Sequence, residues 1–162
     1  MKNRTEKLKE IWESEKISNS PPVTEEEVSL FQVENNLRIP SDLVEYFTIL
    51  NGSNKEYDHK FFKFYSLSDF KSIDDELKNW KGVPDYSNII NTLSGYESYY
   101  VFADFSFCMF SYAIKLYPNT SDKHPVLVIS GDEYKVIANS FSEFIDLYFS
   151  NSIELQLNKG EY

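Results

Sequence analysis

Residues 24–52 read TEEEVSLFQVENNLRIPSDLVEYFTILNG, and the order of signals within this stretch sets the fold class. Thr24 and Glu27 have capping-box spacing, in which each side chain satisfies a free backbone N–H at a helix start. Val23 and Val28 flank the cap as a hydrophobic staple, and Glu25 and Glu26 sit at the positive end of the helix dipole. Phe31 continues the apolar stripe, and the helix runs to about Asn36. Leu37-Arg38-Ile39-Pro40 then turns the chain into another helix, whose first turn tolerates the missing N–H of Pro40. Leu43, Tyr46, Phe47 and Leu50 follow at i, i+3, i+4 and i+7, so all four share one face. Asn51-Gly52 stops that helix, because both residues accept the left-handed conformation of a C-cap.

Upstream, residues 2–16 have a helical pattern with Leu8, Ile11 and Trp12 on one side. Ser18 to Pro22 break it as a short linker. Downstream, 61–67 reads as a strand. Ser68 is placed to cap a helix carrying Phe70, Ile73, Leu77 and Trp80, which Lys81-Gly82-Val83-Pro84 ends. A loop-like region over 82–97 leads into strands at 99–107, 109–117, 126–129 and 134–138. In the second of these, Phe110, Tyr112, Ile114 and Leu116 alternate onto one face. Ser140 and Glu143 open a last helix with Phe141, Phe144, Ile145 and Tyr148 on its buried side. Residues 153–157 fit either a continuation of that helix or a short edge strand. The expected fold is α+β: a mainly antiparallel, curved sheet of short strands with helices packed against it. The expected organisation is a helix and linker over 1–19, one domain over 20–152 and a tail over 153–162.

Composition narrows the chemistry. The 162 residues include 13 Phe, 12 Tyr and 2 Trp, enough rings for a core with some left for the surface. The charge is 16 − 26 = −10, while residues 1–16 are nearly neutral, so the acidic excess lies in the folded body. Such a body repels phosphate backbones and anionic lipid, which argues against nucleic-acid or membrane binding and favours a basic partner. One cysteine, Cys108, rules out an internal disulfide. The start of the chain has no apolar run of signal-peptide length, and no window approaches the ~18 apolar residues of a membrane span, so a cytoplasmic protein is expected.

Catalytic constellations are weak. His59 and His124 lack metal-motif spacing, and one cysteine cannot supply a thiolate cluster, so neither metal nor cofactor is expected. A Cys108–His124–Asp104 nucleophile set can be written, but Cys108 lies among Phe105, Phe107, Met109 and Phe110, which reads as core. Five glycines assemble no phosphate-binding loop. Asp74-Asp75-Glu76 falls between the apolar positions Ile73 and Leu77, the pattern of a solvated helix face.

Two segments carry a family resemblance. The first is Thr24–Val28 with Phe31, Glu34, Leu37, Ile39-Pro40-Ser41-Asp42-Leu43, Tyr46-Phe47 and Leu50-Asn51-Gly52. The second is the strand and helix at Val136-Ile137-Ala138-Asn139-Ser140-Phe141-Ser142-Glu143-Phe144-Ile145. In this order and spacing they resemble the SUKH superfamily of Smi/Knr-type domains, over roughly residues 20–150. The chain departs from the family pattern in two places. Residues 99–112 are dominated by aromatics where glycine and acidic residues are frequent, and a helix is added at the amino terminus. The resemblance implies a single α+β domain without enzymatic activity. It further implies an immunity protein that binds and neutralises a cognate, nuclease-type bacterial toxin domain, which the acidic body predicts to be basic; an intracellular interaction hub is the alternative. The matching motifs are structural, so contact residues must come from chemistry. Acids suited to a basic partner and aromatics suited to hot spots nominate Tyr57, Asp58, Asp74, Asp75, Glu76, Trp80, Tyr99, Tyr100 and Asp104 as toxin-binding candidates.

Overall fold

A computed structural model of the chain describes residues 3–77 and 87–157. Helix α1 (Arg4–Ser14) opens on Asn3, whose side chain accepts from Glu6 N while Glu6 bonds back to Asn3 N. Helix α2 (Glu25–Asn35) has the expected Thr24–Glu27 capping box and ends on Asn36 in the left-handed conformation. Helix α3 (Ser41–Ile49) follows, with Pro40 one position earlier than expected, as the cap itself. Its face of Leu43, Tyr46 and Phe47, with Leu50 beyond it, is fully buried.

Asn51-Gly52 does more than stop α3. Asn51 donates through Nδ2 to the Pro21 carbonyl and accepts from Leu67 N through Oδ1, both at 2.8 Å, so it ties the linker to the chain beyond the first strand. Gly52 has φ +94°, and a Cβ there would lie 2.8 Å from Ser66 N and 2.9 Å from the Tyr65 carbonyl carbon. The neighbour is backbone and cannot step aside, so only glycine fits.

Strand β1 (Phe62–Phe64), β2 (Lys71–Ser72), β3 (Tyr99–Phe105), β4 (Phe110–Lys115), β5 (Val126–Ser130) and β6 (Glu133–Ala138) form one antiparallel sheet in the order β1-β3-β4-β5-β6, with β2 also pairing β3. One face, carrying Phe62, Phe64, Phe102, Tyr112, Ile114 and Val128, packs with α1, α2, α3 and α6 (Phe141–Phe149) into the main core. The other face buries Tyr99, Val101, Ala113, Leu127 and Ile129 beneath Ile73 of α4 (Ile73–Leu77) and Ile89 of α5 (Ser87–Thr92). The open side of β1 is sealed by its own loop. Phe62 N donates to Asp58 Oδ1 at 2.9 Å and Phe64 N to Ser53 Oγ at 3.1 Å, while Asp58 N and Ser53 N take the two carbonyls. Covering an edge in this way removes a template for unwanted strand pairing.

Several expectations are corrected. No helix starts at Ser68: Leu67–Asp69 is a single 3-10 turn, Lys71–Ser72 pairs with β3, and the helix begins at Ile73. Phe70 packs on Phe47 and Tyr100 in the main core, whereas Ile73 belongs to the core on the opposite face. One straight helix cannot serve both faces of a sheet, so the chain crosses over as a strand. Trp80 and the expected helix end at 81–84 lie outside the described residues. The region expected as loop contains α5 and a 3-10 turn at Tyr96–Ser98. Residues 153–155 form a 3-10 turn, neither helix continuation nor strand, and bury Leu155. Helix α1 inserts Leu8 and Trp12 into the main core.

Candidate interaction site at the hairpin tip

Alternation along Phe62-Lys63-Phe64-Tyr65 sends the two phenylalanines into the main core and leaves Lys63 and Tyr65 on the opposite side of the sheet. There Lys63 stands directly across from Asp104 of β3, which in turn faces Ser111 of β4. Asp104 is completely buried. Its Oδ1 accepts from the Tyr57 hydroxyl at 2.6 Å and from Cys108 N at 3.2 Å. Its Oδ2 accepts from the Tyr65 hydroxyl at 2.8 Å and lies 3.5 Å from Lys63 Nζ. Three hydrogen-bond donors and a nearby ammonium around one carboxylate offset a desolvation cost that an unpaired acid could not bear. Burial, followed by the Asp104 interaction, raises both tyrosine hydroxyls well above their ordinary pKa, so both remain donors.

The Cys108 bond holds an unusual turn. Ser106, Phe107 and Cys108 all have positive φ, between 48° and 65°, and so does Phe61 at 69°. None is glycine, and consecutive left-handed residues with large side chains are strained. The turn is pinned by Ser106 N donating to the Phe61 carbonyl at 2.8 Å and by Cys108 N donating to Asp104. The consequence is a protruding aromatic tip. Phe107 is 80% exposed, Phe61 58% and Met109 56%, with the Tyr57 ring 4.6 Å from that of Phe107. Clustered apolar side chains at one exposed tip mark an interaction surface more often than scattered ones do.

Cys108 is therefore at the surface, not in the core. Partial desolvation and then Asp104 raise its thiol pKa, the opposite of what activates a nucleophile. His124 is anchored beyond the far end of β4, with Nδ1 3.0 Å from the Lys115 carbonyl oxygen. The Cys108–His124–Asp104 set is not assembled.

Of the nine nominated contacts, the structure joins Tyr57 and Asp104 through one hydrogen bond. Asp104 is withdrawn from the surface as the anchor beneath the tip. Asp58 is also buried, spent on the β1 edge and on the Tyr148 hydroxyl at 2.5 Å. Tyr99 and Tyr100 are buried on opposite faces of β3. All four are largely or wholly buried. Asp74, Asp75 and Glu76 are exposed on α4, where Glu76 shares a cavity with Lys63 and Tyr65, and Trp80 lies outside the described residues. Sequence reasoning missed Phe61, Lys63, Tyr65, Phe107 and Met109. Only the strand alternation could have found Lys63 and Tyr65, because the turn at 106–108 contains no glycine, asparagine or aspartate to announce it.

The fold and this site define an α+β domain whose distinctive feature is a presented surface: a strained aromatic tip fastened to a buried carboxylate. The sequence profile of the SMI1 / KNR4 family (SUKH-1) matches residues 22–147, and the chain belongs to that family. The match begins after α1. No curated protein matches the chain. Among the described residues no helix is long and apolar enough to cross a membrane.

Proposed function

We propose that this protein is an immunity-type member of its family, a cytoplasmic inhibitor that binds and neutralises a bacterial toxin domain. The observation that carries the reading is the tip itself. Phe61, Phe107 and Met109 stay exposed, the first two in a backbone conformation that costs free energy, and strain held by surrounding structure collects at functional sites. Large apolar side chains beside a half-buried tyrosine are suited to hot-spot contacts. The exposed acids Asp74, Asp75 and Glu76, in a chain of net charge −10, would steer a basic partner and speed its association.

The test is calorimetry of this protein against the carboxy-terminal domain encoded by the gene directly upstream of its own. A 1:1 complex with a dissociation constant on the order of nanomolar, weakening as salt rises, is the expected result. No heat at micromolar concentrations from two folded partners would overturn the toxin reading for that neighbour. Binding of several unrelated proteins at comparable, moderate affinity would instead support an interaction hub.

A further inference from the structure

Beside β1, between the 51–60 loop and the β2–α4 segment, lies a cavity of about 260 Å³. Its charged lining comprises Lys55, Lys63, Lys71, Asp69 and Glu76, with Tyr65 at one wall. Three ammonium groups around one cavity are notable in a chain whose acids outnumber its bases by 26 to 16. Their donors are largely unspent. Lys55 and Lys71 make no ion pair among the described residues. Lys63 is held between the Tyr57 and Tyr65 rings, 5.1 and 5.6 Å from their centroids. Among the described residues its sole ion-pair contact is the 3.5 Å approach to Asp104, whose two oxygens already accept from Tyr57, Tyr65 and Cys108 at shorter range. An ammonium carries three N–H donors, so Lys63 is a positioned cation with bonding capacity to spare.

We propose that this cavity binds a small molecule bearing a phosphate monoester and an amino group. The phosphate would lie among Lys55, Lys63 and Lys71, since lysine recognises phosphate as a compact point charge. The amino group would face Asp69 and Glu76. Those two acids are close enough to interact: partial desolvation raises the Glu76 pKa from its ordinary value, Lys71 lowers it and Asp69 raises it again. A ligand cation relieves that crowding. The volume lies just below the range of small-molecule pockets and exceeds the need of one inserted side chain, which favours a small ligand over a partner's protruding residue. This inference is independent of the toxin reading.

The experiment titrates the full-length protein with inorganic phosphate and, separately, with free phosphoserine, following amide chemical shifts around residues 55, 63 and 71 at constant ionic strength. Saturable shifts are expected for both, with phosphoserine binding at least about threefold more tightly through its ammonium, a gain not shared by 3-phosphoglycerate, which keeps the carboxylate but lacks the ammonium. Lys55→Met and Lys71→Met are surface changes that leave the core intact, and each should weaken both probes by about fivefold or more. Lys63→Met should do the same, with circular dichroism confirming that the variant is folded. Glu76→Gln should abolish the preference for phosphoserine while retaining phosphate. Equal affinity for the two probes would show a site for the free anion alone and overturn the monoester assignment. Absence of saturable shifts at millimolar concentrations, or shifts unchanged in Lys55→Met and Lys71→Met, would overturn the site.

Discussion

The Tyr148 hydroxyl donates to Asp58 Oδ2 across 2.5 Å, joining the last helix to the loop that seals the edge of β1. Asp58 Oδ1 meanwhile accepts from Phe62 N and Lys60 N, both at 2.9 Å. A surface loop is thereby bolted to the core by one buried acid. Asp58→Ala strands three donors, and urea unfolding should show a loss of about 2–4 kcal/mol. Asp58→Asn keeps an acceptor for the backbone and should lose less.

The same residue sets a pH dependence. Burial raises the Asp58 pKa from its ordinary 3.8, against the lowering effect of its hydrogen bonds. The folded state therefore holds this proton more tightly than the unfolded chain does. Its contribution to stability falls as pH rises from the unfolded value through the raised folded value, and is level above that. Comparing unfolding free energies of the native protein and Asp58→Asn across this window should show that descending contribution only in the native protein.

The Arg4–Asp146 pair behaves oppositely. Arg4 Nε and one terminal nitrogen reach the two Asp146 oxygens at 2.8 Å each, and this hydrogen bonding lowers the Asp146 pKa. The stabilisation is present above the unfolded value of 3.8 and disappears as pH falls through the depressed folded value. Both side chains are about half exposed, so solvent screening limits the effect of Arg4→Met to less than about 1 kcal/mol. An equal loss at pH 2 and pH 7 would contradict the assignment.

Gly52→Ala should destabilise by about 1–3 kcal/mol, since it combines a left-handed backbone with a contact against the β1 chain. Thermal unfolding would register this as a lowered midpoint. An unchanged midpoint would contradict the close approach between residues 52 and 66.

Phe107→Ser separates binding from folding. The ring is mostly in solvent, so stability should stay within about 0.5 kcal/mol of the native protein. Affinity for the toxin domain should drop at least about tenfold if the tip is the contact surface. Retained affinity together with loss in Asp74→Lys/Asp75→Lys would move the contact to α4.

Much of the architecture was legible because local and global signals agreed. Thr24–Glu27 formed its box, and Leu43, Tyr46, Phe47 and Leu50 were buried together, as periodicity demanded. Ser140 accepts from Glu143 N, although Glu143 reaches back to Asn139 N rather than to Ser140. The Ser68 helix failed because its apolar spacing suited a helix while its residues were needed on two faces of the sheet. The hairpin tip failed for a different reason. An aromatic run with alternating polarity looks like a strand interior, and no glycine, proline, asparagine or aspartate interrupts Phe105 to Phe110.

By itself, then, the sequence determined α1, α2, α3 and α6, the strand-rich second half and the α+β class, because caps, stops and apolar periods act over a few residues and need no distant partner. Only the tertiary structure decided which rings and acids face water. Asp58 and Asp104 are acids that composition assigns to the surface, yet each is buried because donors from far along the chain converge on it: Tyr148 on the one, Tyr57, Tyr65 and Lys63 on the other. Phe107 is a ring that hydrophobicity assigns to the core, yet it stands in solvent because a bond from Cys108 N to that buried carboxylate holds its turn outward. Burial is a property of the assembled partners, and those partners are brought together only by the fold.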